Sequence, residues 1–156
     1  MEKVITKELT DFLNEANKRT YANKDARRAS STRFKSEDYH FEKGNLIYHD
    51  TYFGSRDFIG EEVVYKNSEP VWGMNYYGYI LSSSADEKGL YGFLREALMQ
   101  EYYDILPVRG AKDYQRDDWE YKNFVEGELS RFVGTEEIYQ TGVLLYRAYY
   151  HGGFIE

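Results

Sequence analysis

The sequence contains no cysteine, which excludes disulfides, thiolate nucleophiles and metal sites built from cysteine. It also lacks any apolar run near the roughly 18 to 20 residues that a membrane span needs, so we expect no membrane-embedded segment. The N-terminal residues MEKVITKELTDFL have neither the basic region nor the apolar stretch of a signal peptide. From these absences we expect a cytoplasmic protein.

The motifs of several enzyme classes are missing as well. The chain has three histidines, and the YHD stretch 48–50 offers too few ligands for a metal centre. No serine nucleophile of the G-x-S-x-G type occurs, and no glycine-rich loop stands between a strand and a helix. The sequence therefore predicts neither a metal nor a nucleotide cofactor.

Acidic residues outnumber basic ones by 27 to 20, and the formal charge is −7. Because negative charge repels phosphate, this balance argues against nonspecific nucleic-acid binding. The segment 18–35 is an exception, since it holds seven basic residues and one acid. Its content of Ala, Ser, Asn and Thr favours a long solvated connection. The alternative is a surface that docks an anion or a protein partner.

Two stretches of the chain resemble each other and have helical spacing. LTDFLNEA, from Leu9 to Ala16, matches LYGFLREA, from Leu90 to Ala97. In both, the apolar residues recur at intervals of three and four, which is typical of a helix with one buried face. The match indicates an internal repeat.

The similarity continues through β-rich stretches after each helix. LIYHDTYFG (46–54) aligns with WEYKNFVEG (119–127), FIGEEVVY (58–65) with FVGTEEIY (132–139), and VWGMNYYGYI (71–80) with LYRAYYHGGFI (145–155). Aromatic and β-branched residues between turn signals favour hairpins.

These repeats predict an α+β fold, a tandem duplication of a helix-plus-β-meander unit. The two units would form an antiparallel sheet of six to eight strands with both helices packed on one face. We expect a single domain over residues 1–156, with repeats at about 5–82 and 84–156, because each half alone would bury too little surface.

Strand alternation predicts where the matched acidic residues point. Alternate residues of a strand face opposite sides, and the matched set places Asp50, Glu62, Asn123 and Glu136 on the face that carries Phe, Trp and Tyr. A buried carboxylate costs several kcal/mol unless it is paired. The nearby Arg56 and Arg131 are possible ion-pair partners. Arg109, in a Pro/Gly loop, could reach an anion or pair locally.

The stretch DTYFGSRDFIGEEVVYKNSEPVWGMNYYGYIL, followed by LPVRG, FVGTEEIY and YYHGGFI, resembles a bacterial domain family of unknown function. Members of that family occur alone or at the C-terminal end of regulators that begin with a helix-turn-helix domain. The resemblance brings no assigned catalytic residues, and by analogy it implies an effector-sensing or interaction module. The residues before the first predicted strand contain one helix that the repeat already uses, so we expect no DNA-binding domain there.

Together, the matched residues predict a noncatalytic domain that binds a small-molecule effector in an aromatic, acidic cleft at a pseudo-twofold axis. The acids favour a cationic or polyhydroxyl ligand. Two other classes remain open: a hydrolase or lyase that uses Glu62 or Asp50, and an interaction module that presents a sheet edge or segment 18–35. The predicted ligand-binding residues are Tyr48, Asp50, Glu62, Trp72, Tyr76, Tyr121, Asn123, Glu136, Tyr146 and Tyr150.

Overall fold

The computed structural model describes residues 2–156, with side chains from Thr6 onward. Within these residues the chain forms two helices and eight strands. The first part comprises α1 (Glu2–Arg19), β1 (Glu37–Lys43), β2 (Leu46–Gly54), β3 (Phe58–Lys66) and β4 (Glu69–Ile80). The second part comprises α2 (Glu87–Leu98), β5 (Asp113–Arg116), β6 (Trp119–Glu128), β7 (Arg131–Gln140) and β8 (Val143–Phe154).

All eight strands belong to one antiparallel sheet with the order β1-β2-β3-β4-β8-β7-β6-β5. The first half of the sheet, β1 to β4, and the second half, β5 to β8, are each a meander, and they join where β4 pairs with β8. At the centre of that pairing Tyr76 lies opposite Tyr150. The predicted α+β class and antiparallel sheet are confirmed, whereas the duplication stays a prediction.

One face of the sheet is buried, and strand alternation determines which residues reach it. In β2, every second residue from Leu46 to Tyr52 is buried. The buried stripe of α1, which includes Phe12 and Leu13, belongs to one core cluster with Tyr48 and Trp72. Burial of each large apolar side chain contributes roughly 1.5 to 3 kcal/mol. The indole of Trp72 also donates to the carbonyl of Leu129, at 3.1 Å.

The second core cluster contains the buried stripe of α2. Leu90, Phe93 and Leu94 pack there with Tyr121 and Tyr146. Tyr21 and Phe58 pack against both clusters, so the two cores are continuous. The opposite face of the sheet is open at its centre, with these side chains more than 40% exposed: Ile59, Tyr77, Val133 and Tyr149.

No helix among residues 2–156 is long and apolar enough to cross a membrane. The described part of the chain also has no group of three or more His, Asp or Glu side chains arranged to hold a metal ion.

Candidate functional site

Two carboxyl side chains meet on the buried face of the first half of the sheet. Asp50 of β2 and Glu62 of β3 are direct cross-strand partners. Directly opposed residues project to the same face, and Asp50 and Glu62 are only 3% and 5% exposed. The prediction that both acids point into the aromatic side of the sheet is confirmed. Two like charges in this position repel each other, so the pair needs a proton or a cation.

A cavity of about 270 Å³ borders this pair, and we call it the acidic cavity. Its walls come from the end of α1 and the following segment, from the sheet, from α2 and from the loop before β5. The polar and aromatic lining includes Thr20, Tyr21, Arg28, Tyr48, Asp50, Tyr52, Phe58, Glu62, Tyr76, Tyr91, Arg95 and Arg109. The volume lies just below the roughly 300 to 1,000 Å³ of sites for drug-sized ligands, so the cavity suits a smaller molecule.

The two acids at the cavity differ in how well their oxygens are satisfied. The hydroxyl of Tyr76 donates to Oδ1 of Asp50 at 2.5 Å. The hydroxyl of Tyr48 interacts with Glu62 and favours its ionised form. Oε2 of Glu62, however, is buried without a hydrogen-bond partner among residues 2–156. A buried, unpartnered oxygen of this kind costs about 1 to 3 kcal/mol.

Both acids in the acidic cavity hold their protons unusually tightly. Burial raises the pKa of Asp50 to about 7, against the opposing effects of the Tyr76 hydrogen bond and the charge of Arg109. Burial and the neighbouring charge of Asp50 raise the pKa of Glu62 to about 8. Desolvation therefore outweighs the hydrogen bonds at both groups. At neutral pH the pair retains a proton.

In the second half of the sheet, Glu136 occupies a site of a different kind. Glu136 of β7 is fully buried and accepts two hydrogen bonds from Arg109, with Nε to Oε2 at 3.1 Å and Nη2 to Oε1 at 2.7 Å. Tyr121 donates to Oε2 at 2.6 Å and Tyr146 to Oε1 at 2.8 Å. Four donors thus satisfy this carboxylate. Bidentate pairs of this geometry are among the strong hydrogen bonds of proteins.

The residue opposite Glu136 is an amide rather than an acid. Asn123 is its cross-strand partner in β6, and its Nδ2 donates to the carbonyl of Gly110 at 2.9 Å. Its Oδ1 accepts from the Tyr150 hydroxyl at 2.5 Å. The backbone N–H of Gly110 donates to the Tyr121 hydroxyl at 3.1 Å. The chain therefore fills this site with its own residues, and we call the set of Arg109, Gly110, Tyr121, Asn123, Glu136 and Tyr146 the Arg109 cluster.

Gly110 has no room for a side chain in the Arg109 cluster. A Cβ built there would lie 2.7 Å from the hydroxyl oxygen of Tyr121 and 2.9 Å from its ring. These distances are too short for real contacts, so the backbone approaches Tyr121 closely only because residue 110 is glycine.

Arg109 also borders the acidic cavity. It lines the cavity wall, its guanidinium lies 5.7 Å from the centre of the Tyr76 ring, and its charge lowers the pKa values of Asp50 and Glu62. One buried guanidinium therefore neighbours three buried carboxyl groups, those of Asp50, Glu62 and Glu136. Its ion pair is with Glu136, so within residues 6–156 Asp50 and Glu62 have no cation paired directly with them.

The ten predicted ligand-binding residues lie in three places. Tyr48, Asp50, Glu62 and Tyr76 line the acidic cavity. Trp72 lies in the core next to the ring of Phe132, with centroids 5.8 Å apart. The remaining residues belong to the Arg109 cluster or contact it: Tyr121, Asn123, Glu136, Tyr146 and Tyr150.

The two arginines suggested as ion-pair partners lie elsewhere. Arg56 donates to the carbonyl of Ser82. Arg131 is exposed and forms no ion pair with any residue from Thr6 onward. Arg109, whose sequence position allowed a role with an anion, is the residue that pairs with Glu136. Its contact spans 27 positions of the chain, so sequence proximity was the wrong criterion.

A fourth buried acid, Asp38 of β1, was not expected from the sequence. It accepts hydrogen bonds from Thr32 at 2.6 Å, His49 at 2.6 Å and Thr51 at 2.7 Å, and another from Ser36. Burial opposes ionisation, but these bonds outweigh it and hold the pKa of Asp38 below its ordinary value. Asp38 thereby fixes part of segment 18–35 to the sheet, and Arg28 of that segment is tied to Glu37 at 2.7 Å.

Comparison with known proteins identifies one relationship. Residues 50–155 match DUF5680, a domain of unknown function. This range contains Asp50, Glu62 and the whole Arg109 cluster. Neither the curated proteins nor the solved structures include a match to the chain.

Proposed function

The chain belongs to the DUF5680 family of domains of unknown function, and we propose that it is a noncatalytic domain that binds a small-molecule effector in the acidic cavity. The ligand is cationic or polyhydroxyl and is held by Asp50, Glu62, Tyr48 and Tyr76. The aromatic rings of Tyr21, Tyr52, Phe58 and Tyr91 supply the apolar walls, since all four line the cavity.

The observation that carries this proposal is the state of Glu62. Glu62 is 5% exposed, and its Oε2 is buried with no partner within the described chain. Buried polar atoms of folded proteins are nearly always paired with protein or water. A ligand donor in the acidic cavity satisfies that oxygen, and a cation also balances the charge of the two acids.

We further propose that the fold is a tandem duplication with a pseudo-twofold axis between Tyr76 and Tyr150, and that both helices cover the same face. The register of β4 with β8 supports this, because Trp72 pairs with Phe154 and Ile80 with Tyr146 at equal distances from the centre. The repeat alignment matches Trp72 with Tyr146 and Ile80 with Phe154, so it maps each of these two pairs onto the other. Asp50 and Glu62 then belong to the first copy, whereas Tyr91, Arg95 and Arg109 of the second copy complete the cavity wall.

The raised pKa values of Asp50 and Glu62 favour one alternative function. Groups that titrate near pH 7 are suited to general acid and base catalysis, so a hydrolase or lyase activity is the second candidate. Such an enzyme would turn over a compound that binds, and both Asp50→Asn and Glu62→Gln would abolish turnover while the compound still bound.

The test of the proposed function is a ligand screen with paired variants. Thermal shift and native mass spectrometry of the purified protein are measured against cationic metabolites, polyols, neutral amides and carboxylates, with chemical analysis of each compound after incubation. We expect cationic or polyhydroxyl compounds to stabilise the wild type and to lose this effect in Glu62→Gln. Glu61→Gln is the matched control, because Glu61 is adjacent and exposed.

Each outcome of the screen has a defined meaning. Stabilisation that survives Glu62→Gln places the ligand elsewhere and refutes the proposed site. Conversion of a bound compound assigns the second candidate function instead. If no compound stabilises the wild type more than it stabilises Glu62→Gln, the binding function is wrong.

A further inference from the structure

The Arg109 cluster holds a complete example of how this sheet binds a guanidinium. The planar side chain of Arg109 presents two N–H groups to the two oxygens of Glu136, and the tyrosine hydroxyls complete the carboxylate. The first half of the sheet has a carboxylate in the corresponding cross-strand position, since Glu62 opposes Asp50 as Glu136 opposes Asn123. It also has a tyrosine donor, Tyr48, which interacts with Glu62.

We propose that the ligand of the acidic cavity carries a guanidinium or amidinium group, which Glu62 binds side-on as Glu136 binds Arg109. This inference rests on the proposed function. The group supplies the donor that Glu62 Oε2 lacks among residues 2–156. A carboxylate selects a planar donor pair of this kind because both of its oxygens are engaged at once.

The residue beside each glutamate determines what else the ligand must offer. Asn123 donates its amide N–H to a carbonyl, that of Gly110. Asp50 at the corresponding position of the first half has only acceptor atoms when ionised. The ligand therefore presents further N–H donors toward Asp50, which a guanidinium with five N–H groups provides and a quaternary ammonium does not.

The walls of the acidic cavity set the size and the charge of the rest of the ligand. Three arginines line the cavity: Arg109 is paired with Glu136 at 2.7 Å, Arg28 is paired with Glu37 at 2.7 Å, and Arg95 donates to the carbonyl of Tyr21 at 3.0 Å. Carboxylates therefore balance the charges of Arg109 and Arg28, and the guanidinium of Arg95 lies 4.4 Å from the centre of the Tyr21 ring. A volume of about 270 Å³ admits a guanidinium with a short aliphatic chain, and the tyrosine rings contact that chain and the cation.

Four compounds with one alkyl chain separate shape from charge. Butylguanidinium has the planar shape and the charge, butylurea has the shape without the charge, butylammonium has a compact charge, and trimethylbutylammonium has a charge without N–H donors. Binding is measured by isothermal titration calorimetry at constant ionic strength, in buffers of different ionisation enthalpy. We expect butylguanidinium to bind at least about tenfold more tightly than butylammonium, because an additional charge-assisted hydrogen bond is worth that factor.

Binding of butylguanidinium is also expected to release protons near pH 7.5, since the cation favours the ionised forms of Asp50 and Glu62. Glu62→Gln is expected to weaken binding at least about tenfold, whereas Glu61→Gln leaves it unchanged. Asp50→Asn serves as a second variant and is expected to retain weakened binding, since Glu62 keeps both acceptor oxygens.

Different results would refute the ligand class and the proposed binding function. If butylammonium, trimethylbutylammonium or butylurea binds as tightly as butylguanidinium, the ligand class is wrong. If none of the four binds while another compound of the screen stabilises the wild type and not Glu62→Gln, the ligand class is wrong and the binding function stands. If neither experiment yields a ligand that depends on Glu62, both are wrong.

Discussion

The acidic cavity and the Arg109 cluster place a glutamate in the same kind of cross-strand position and treat it in opposite ways. Glu136 has an amide neighbour, a bidentate arginine and two tyrosine donors. Glu62 has an acidic neighbour, Asp50, and a cavity. In one place the chain supplies the cation itself, and in the other it leaves the position open.

The two sites also differ in how burial and nearby charges act on Glu62 and on Arg109. At Glu62, burial and the charge of Asp50 win over Tyr48 and Arg109, and the pKa rises to about 8. At Arg109, the attraction of Glu136 outweighs desolvation, so burial does not remove the charge of the guanidinium. Arg109 is only 9% exposed, and its ion pair with Glu136 keeps the guanidinium charged despite this burial.

We expect the largest effect on stability when Arg109, the cation that binds Glu136, is replaced. Arg109→Met leaves Glu136 buried without its bidentate partner, and we expect a loss of about 3 to 5 kcal/mol in the free energy of unfolding. Urea denaturation at pH 7.5 measures it. Arg116→Met is the matched control, because Arg116 forms an exposed ion pair with Glu96 and such pairs contribute at most about 1 kcal/mol. If Arg109→Met lowers the free energy of unfolding no more than Arg116→Met does, the ion pair between Arg109 and Glu136 does not have the expected effect on stability.

The second test uses the pH dependence of the acidic cavity. The pKa values of Asp50 and Glu62, about 7 and 8 in the folded protein, exceed the ordinary carboxyl value of about 4 in the unfolded chain. Between these values the folded state binds more protons, so this pair makes stability fall as pH rises from about 5 to 8. The fall levels off only above about pH 9, where Glu62 is ionised in the folded protein as well.

Glu62→Gln removes one of the two titrations, and we expect it to be more stable than the wild type at pH 8 by on the order of 2 to 4 kcal/mol. At pH 5 the two proteins should differ far less. The difference between their unfolding free energies across this range isolates Glu62, because the other groups are shared. Glu61→Gln should follow the wild-type curve. A constant difference between Glu62→Gln and the wild type would mean that Glu62 is ionised throughout.

The third test gives Glu62 and Glu136 the same kind of cross-strand neighbour. Asp50→Asn gives Glu62 the same amide neighbour that Glu136 has, and removal of the Asp50 charge should lower the pKa of Glu62 by about one unit. A carbon-detected NMR titration of the Glu62 carboxyl measures this. The reverse variant, Asn123→Asp, places a second acid beside Glu136 and should cost about 1 to 2 kcal/mol at pH 8. An unchanged pKa of Glu62 would show that burial alone raises it.

Local patterns in the sequence were sufficient for the strands and for the direction of the acids. The strand LIYHDTYFG was predicted at Leu46 to Gly54, where β2 lies, and alternation placed Asp50, Glu62, Asn123 and Glu136 on the buried face. Both depend on the two-residue period of a strand, which a single segment displays. The antiparallel sheet followed from the same pattern.

The asymmetry between the two sites could not be predicted in the same way. Arg109 reaches Glu136 from a loop 27 residues away, and no period in the sequence relates a loop residue to a strand residue. The acidic cavity is the space left between four separate parts of the chain, so it depends on how these parts pack together. One sign was present, since the alignment matched Asp50 with Asn123, and a lost acid in one copy indicates that the two sites differ.

The smallest test compares the tyrosine donors to Asp50 and Asn123. Tyr76→Phe and Tyr150→Phe each remove one hydroxyl that donates at 2.5 Å, and we expect each to cost about 1 kcal/mol. The cost of Tyr76→Phe should grow as pH rises through 7, because the lost bond favours ionised Asp50. The cost of Tyr150→Phe should not change over that range, since Asn123 does not titrate. Unfolding free energies at pH 5.5 and 8.5 distinguish the two, and equal pH dependence would mean that Asp50 has the same protonation state at both pH values.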